Sequence, residues 1–353
     1  MAKSPGKIYA QLLVNTRAQL EALGFDWFEV AGKIGFDPQI TDDPEGAAPS
    51  GVYLEIHEYL ARATGNDAIG VILGSQVPVG SIKVFDYVAL TAPTIAQSLE
   101  NWRRFERILS NMFQISIGDE DGKRYLTLQI SDLYGPRTQV TAKAMSFAAS
   151  RIRHMLAGAE VNLTLEFTQA RPREIATYYR ILGRNIRFGG NQDRIGIPLE
   201  VMDVAPAAAE ENLYQMMEKT ALARLASNQF EDNDLDNISR AINEALKEGD
   251  PSLDIVARKL AMSKRALQRR MEDNGLTFRQ AVDRVRKALA EQYLTEGRLQ
   301  LSEIAYLLGY SELSTFSRAA KTWFGMSPKA YRRRVRDPAA DKETSALGRG
   351  TSR

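Results

Sequence analysis

Two short runs near the carboxyl end carry side chains suited to hydrogen-bonding the edges of nucleic-acid bases. In the first, Lys264, Arg265, Gln268, Arg269 and Glu272 fall outward if Leu267 and Met271 face inward. In the second, Ser314, Ser317, Arg318 and Lys321 fall outward if Phe316 and Ala320 face inward. Arg can bond a guanine edge bidentately in the major groove, Gln can do the same with adenine, and Ser can serve either. Any amphipathic helix has a polar face, so one such run alone would equally suit a solvated surface. The pattern occurs twice, however, with an arginine in the equivalent outward place.

The duplication extends to the elements that must hold these side chains. Val256-Ala257-Arg258-Lys259-Leu260-Ala261-Met262-Ser263 aligns without a gap on Ile304-Ala305-Tyr306-Leu307-Leu308-Gly309-Tyr310-Ser311, at an offset of 48 residues. Val256, Ala257 and Leu260, like Ile304, Ala305 and Leu308, recur at the spacing of one helical face. Gly309 suits a tight turn because glycine tolerates positive φ; the first copy has Ala261 there. Ser263 and Ser311 are placed to cap the next helix by accepting from its free N–H groups, and Gly275 and Gly325 to stop it. Past the turn the two copies differ by one residue of slippage. Each reads as a helix-turn-helix.

From about Asn237 to Arg334, and above all in ARKLAMSKRALQRRMEDNG and SEIAYLLGYSELSTFSRAAKTWFGMSPKAYRRR, the chain resembles the DNA-binding domain of the AraC/XylS family of bacterial transcription regulators. The family's closing signature, Gly-x-Ser-Pro followed by Tyr-Arg, stands here as Gly325-Met326-Ser327-Pro328 and Tyr331-Arg332. The resemblance implies an all-α domain of two helix-turn-helix units joined by a linker helix at about Phe278 to Thr295. Its recognition helices, about 264–274 and 312–324, would enter successive major grooves of double-stranded DNA. Carried over by position, Arg265, Gln268 and Arg269, beside Lys264, would read bases in the first unit. Ser314, Thr315, Ser317 and Arg318 would do so in the second. Ala320 departs from the family, which usually has Phe there, and predicts some loss of local packing.

Charge is divided in keeping with that expectation. The net charge is only +2, yet residues 237–336 hold 20 Lys plus Arg against 11 Asp plus Glu, whereas residues 1–236 hold 23 against 30. A basic module joined to an acidic one suits DNA binding by the first and another task by the second. The 353 residues contain no cysteine, which excludes disulfides, thiol catalysis and thiolate metal sites. The start of the chain lacks a secretory apolar core, and the uncharged run Ala68 to Ile82 is too short to span a bilayer. A soluble, cytoplasmic protein is expected, without a membrane partner.

The first 230 residues predict an α+β domain led by helices with a few short strands. Helices are expected at Ile8 to Leu23, Val52 to Ala63, Thr94 to Met112 and Gln139 to Ala157. Strands are expected at Phe113 to Ile117, Tyr125 to Ile130 and Val161 to Phe167, with short pieces at Ile186 to Phe188 and Arg194 to Ile197. From Pro206 to Asn228 a helix sets Leu213, Met217, Ala221 and Leu225 four residues apart, a stripe for pairing with a second copy or for packing on its own domain. Residues 231–236 form the acidic linker, and residues 337–353 read as a disordered tail.

Within this first domain, RATGNDAIGVILGSQVPVGSIKVFDYVALTAPTIAQSLENWRRFERIL is similar to the helix-rich, arabinose-binding-like sensor domain of one branch of the same family. That likeness implies a module that senses a small effector, dimerises, or both, and it argues against a β-barrel effector domain. Arg103, Arg104 and Arg107, or Arg180, Arg184 and Arg187, could hold an anion but equally suit solvated faces. Tyr87, Trp102 and Phe105 could line an apolar pocket or belong to the core. Catalysis finds little support. Only His57 and His154 are present, Ala61 stands where a zinc-protease helix needs its second histidine, and no glycine run is followed by a phosphate-loop Lys-Ser or Lys-Thr. The expected protein is a non-enzymatic DNA-binding regulator, homodimeric, effector-responsive, without metal or cofactor, and in touch with RNA polymerase if it activates. The alternative is a constitutive DNA-binding protein whose first domain only oligomerises.

Overall fold

A computed structural model describes residues 6–158, 160–227 and 235–336. Most of the expected acidic linker and all of the expected tail lie outside the described residues. The chain opens with β1 (Lys7–Tyr9), α1 (Gln11–Ala22), α2 (Trp27–Ile34), β2 (Ala47–Pro49), α3 (Ser50–Thr64), α4 (Ile69–Ser75), α5 (Val84–Leu90) and α6 (Ile95–Leu109). Next come β3 (Phe113–Glu120), β4 (Lys123–Ile130), α7 (Thr138–Met155), β5 (Thr164–Phe167), α8 (Ile175–Leu182), β6 (Ile186–Phe188), β7 (Asp193–Pro198) and α9 (Glu211–Ala226). The helical half comprises α10 (Leu235–Lys247), α11 (Leu253–Lys259), α12 (Lys264–Asp273), α13 (Phe278–Glu296), α14 (Leu301–Leu307), α15 (Leu313–Phe324) and α16 (Pro328–Arg336).

The expected α+β architecture is present, but the helix expected to reach Met112 ends at Leu109, the strand expected from Val161 starts at Thr164, and the start of the chain differs. Ile8 belongs to a strand, not to the first helix: β1 pairs antiparallel with β2, setting Ile8 opposite Ala48. Gly6, at φ 106, precedes it, and its carbonyl accepts the backbone N–H of Ser50. That pairing draws the first residues into a ribbon before α1 begins. A five-stranded sheet runs in the order β3-β4-β7-β5-β6, antiparallel except between β5 and β6. Its register sets Ile115 opposite Leu128 and Leu126 opposite Ile195, which gathers apolar side chains on one face, as alternation in a half-buried sheet requires.

Helix α7 lies at the centre of this domain. Against α4 it comes so close that a Cβ on Gly70 would sit 2.2 Å from the Gln139 carbonyl oxygen, and one on Gly74 would sit 2.2 Å from that of Lys143. Only glycine permits this approach. Helix α9 packs on its own domain through buried Tyr214 and Ala221 with half-buried Met217 and Leu225. Leu213, expected in that stripe, points outward because Tyr214 takes the inward place, and Met216 is 62% exposed.

The helical half divides between two cores. Residues of α10 to the first half of α13, from Leu235 to Val285, share one continuous core with the first domain. A second, small core holds Ala290, Leu294, Ile304, Ala305, Leu308, Phe316, Ala320 and Tyr331. Polar contacts join the first domain to α10 and α13. Arg284 donates to the Leu133 carbonyl, Gln292 Nε2 lies 3.2 Å from Asn191 Oδ1, and Ser131 Oγ lies 3.5 Å from the Leu235 carbonyl.

Candidate nucleic-acid interface and interior cavity

Both helix-turn-helix units form where the repeat predicts them. In the first, Ser252 caps α11 and Ser263 caps α12, its Oγ accepting from the Ala266 N–H at 3.2 Å. The turn between them takes the left-handed conformation at Ala261, φ 52, matching Gly309 at φ 70 in the second unit. An alanine there costs on the order of 1 kcal/mol relative to glycine, so the turn is imposed by packing around it. Leu267 and Met271 are buried, and Lys264, Arg265, Gln268 and Arg269 are exposed. Lys264 is held 3.0 Å from Asp254 of α11. Arg265, Gln268 and Arg269 make no hydrogen bond or ion pair among the described residues.

In the second unit Ser311 does not cap. Helix α15 starts one residue further on, with Glu312 in the cap position, and the Glu312 carboxylate accepts the Ser314 hydroxyl at 2.9 Å. The slippage between the two copies is this extra residue. Phe316 and Ala320 are fully buried; Ser314 and Arg318 are exposed, with Thr315 and Ser317 half-buried beside them. Arg318 Nη2 lies 3.4 Å from Thr315 Oγ1 and has no carboxylate partner among the described residues.

Three residues of α13 that the sequence did not single out fix this unit in place. Arg286 donates to the Leu308 carbonyl at 2.9 Å and lies over the Tyr310 ring. Asp283 accepts the Trp323 indole N–H at 3.1 Å, and Glu291 accepts the Tyr331 hydroxyl at 2.8 Å. Asp283 and Arg286, three residues apart, share one helical face, which is the signal the sequence offered; Glu291 lies around the helix from Arg286.

The arginines of the two groups in the first domain lie at or near the surface. Arg103 pairs with Glu100 and Arg104 with Glu218 at the surface, and Arg180, Arg184 and Arg187 are exposed. Of the three aromatics, Tyr87 is exposed and Phe105 is core, while Trp102 lines a cavity of about 100 Å³. Its walls are the apolar face of the sheet, including Ile115, Leu126 and Ile195, with Leu12 of α1, Phe85 of α5 and Phe147 of α7.

Lys143 of α7 also lines this cavity and is 5% exposed. Its Nζ lies 3.1 Å from Thr16 Oγ1 and 2.9 Å from His57 Nε2. His57 Nδ1 lies 2.7 Å from the Tyr53 carbonyl oxygen, so Nδ1 carries the proton and Nε2 accepts from the lysine. Burial pushes Lys143 down to about 7. Burial, helped by the adjacent lysine, holds His57 well below its ordinary value and keeps the ring neutral.

A lysine depressed in the folded state and near 10.4 unfolded destabilises the fold fully below pH 7. That penalty fades as pH rises from 7 toward 10, where the unfolded chain alone still binds the proton. Lys143→Met is therefore expected to stabilise the protein by about 2 kcal/mol at pH 6.5, after the hydrogen bonds left unmade at Thr16 and His57 are subtracted. Urea unfolding at pH 6.5 and 9.5 checks this: the gain must shrink at the higher pH, and a destabilised variant at both would contradict it.

Comparison with known proteins places these two parts in context. Residues 24–205 match the family described as the arabinose-binding domain of AraC transcription regulator, N-term, and residues 256–334 match a helix-turn-helix domain family. The chain is 28% identical to the ornithine utilization regulator of Pseudomonas aeruginosa, over 84% of this chain and 87% of that one. It is 33% identical to the HTH-type transcriptional regulator VirS of Mycobacterium tuberculosis, over 52% of this chain and 54% of that one. Among solved structures, the transcriptional regulator CdpR from Pseudomonas aeruginosa aligns with 76% of this chain and 87% of its own, at 23% identity and a TM-score of 0.38.

Proposed function

Because this chain belongs to the AraC/XylS family of transcription regulators, and is with it a sequence-specific DNA-binding regulator, we propose that α12 and α15 are its recognition helices and that the cavity beneath α7 receives its effector. Arg265, Gln268 and Arg269 read bases in one major groove, and Ser314, Thr315, Ser317 and Arg318 in the next, with Lys264 at the edge of the first. Phosphate contacts from the basic half supply much of the affinity and make it fall with salt. Homodimerisation, and contact with RNA polymerase if the protein activates, complete this reading.

The observation that carries the reading is the pair of outward arginines, Arg269 and Arg318, each on a helix locked from below by two fully buried side chains and neither matched by a carboxylate among the described residues. The effector part is supported by helix α7. Lys143 and Phe147 line the cavity, while Arg137, Thr138 and Thr141 at its other end line a cleft facing Arg284, Lys287 and Glu291 of α13. One helix thus lines both the cavity and the cleft that separates it from the helix spacing the two reading units.

Fluorescence anisotropy of the full chain on a duplex selected from a random library, and on a scrambled duplex, tests the DNA part. Arg269→Ala and Arg318→Ala are each expected to weaken the selected duplex roughly 5- to 150-fold, the equivalent of about 1–3 kcal/mol, with far less effect on the scrambled one. Selective binding untouched by both substitutions would overturn the assignment.

A further inference from the structure

We propose that the cavity beneath α7 takes a small, mostly apolar carboxylic acid, whose carboxylate pairs with Lys143 Nζ and whose body lies against Leu12, Phe85, Trp102 and Phe147. This rests on the reading of the cavity as the effector site.

The charge balance around α7 carries the proposal. Arg137, at the amino end of the helix, is matched by Asp132 at 2.9 Å and Asp193 at 3.2 Å. Arg151, as deeply buried as Lys143, is matched bidentately by Asp86 and donates to the Val77 and Pro78 carbonyls as well. Lys143 alone of the three has no carboxylate within ion-pair distance among the described residues. Its neighbours, Thr16 and the neutral His57, take two of the three N–H groups of an ammonium and supply no charge. A buried amine normally either pairs with an anion or gives up its proton; burial pushes Lys143 toward the second, and an anion in the cavity it lines would restore the charge.

The walls set the rest of the ligand. Apart from Lys143 they offer Tyr53, Asn15, which is hydrogen-bonded to Ser81, and Glu106, which accepts the Ile115 backbone N–H. Trp102, 2% exposed, lines the same wall, and its indole N–H is buried without a partner and closed to a water-sized molecule. A dry cavity of about 150 Å³ accepts benzene, so about 100 Å³ is too small for a ring and suits a chain of roughly three or four carbons.

Propanoate and butanoate, with propan-1-ol and butan-1-ol as uncharged counterparts, are the probes, and the full chain is the protein. Melting temperatures are recorded for the wild type, Lys143→Met and Trp102→Phe. The acids are expected to raise the wild-type melting temperature by several degrees at millimolar concentration, the alcohols less, and the acids to lose their effect in Lys143→Met. Trp102→Phe should keep a reduced response. Calorimetry at pH 8 in two buffers of different ionisation enthalpy should show close to one proton taken up per acid bound by the wild type, as the amine becomes the ammonium partner. If the alcohols act as well as the acids, or the acids stabilise Lys143→Met equally, the acid class is wrong while the cavity remains the effector site. If none of the probes shifts either protein, the acid proposal fails; if a filling substitution such as Ala144→Leu also leaves effector-dependent regulation in cells intact, the effector reading of the cavity fails with it.

Discussion

Replacing Asp86 by Ala is expected to destabilise the first domain by about 3–5 kcal/mol. Asp86 and Arg151 are each no more than 2% exposed. One carboxylate oxygen accepts Arg151 Nε at 2.8 Å; the other accepts Nη2 at 3.0 Å and the Gly80 backbone N–H at 2.9 Å. The pair ties α5 to α7 and folds the Val77 to Lys83 segment around the guanidinium. Losing the carboxylate leaves a charge that cannot regain water, and that, not the lost attraction, dominates the cost. The double variant Asp86→Ala with Arg151→Met should therefore recover much of the loss. Urea unfolding of the single and double variants measures both quantities. A single-variant loss below about 1 kcal/mol would mean that water reaches the pair.

Phe316→Ala is expected to remove the second helix-turn-helix unit as a reader. Truncating a buried phenylalanine costs about 3–5 kcal/mol, and Phe316 sits in the small core, separate from the large one. The loss should then be local. Backbone amides of α14 to α16 should exchange with solvent much faster, while those of α11 and α12, anchored in the large core through Val256, Leu267 and Met271, keep their protection. Selective DNA binding should fall to the scrambled-duplex level at unchanged overall helicity of the first domain. Equal loss of protection in both units would show that they fold as one body.

How far the sequence could be read depended on how local the deciding interactions are. The two units were legible because a gapless repeat, a left-handed turn and an inward pair of residues are set within twenty positions of one another. The same holds for α6 and for the β3-β4 hairpin, where periodicity alone fixes the face. Ser311 was misplaced as a cap because one inserted residue moves the start of α15 without altering the apolar pattern around it. Ile8 was given to a helix because its strand partner, Ala48, lies forty residues on. Lys143 went unnoticed for the same reason, since Thr16 and His57 are 127 and 86 positions away. A lysine inside the small, apolar run Ala142 to Met145, eight residues before Arg151 on one helix, was the available signal.

Cleavage protection of one DNA duplex by hydroxyl radical, with a single chain bound to a selected site, tests the central claim most directly. Two independent recognition helices predict two protected patches on one face of the duplex, centred about 10 base pairs apart. Arg269→Ala should weaken protection of one patch and Arg318→Ala that of the other. A single patch, or two patches that fade together whichever arginine is removed, would contradict the assignment of α12 and α15 as separate readers.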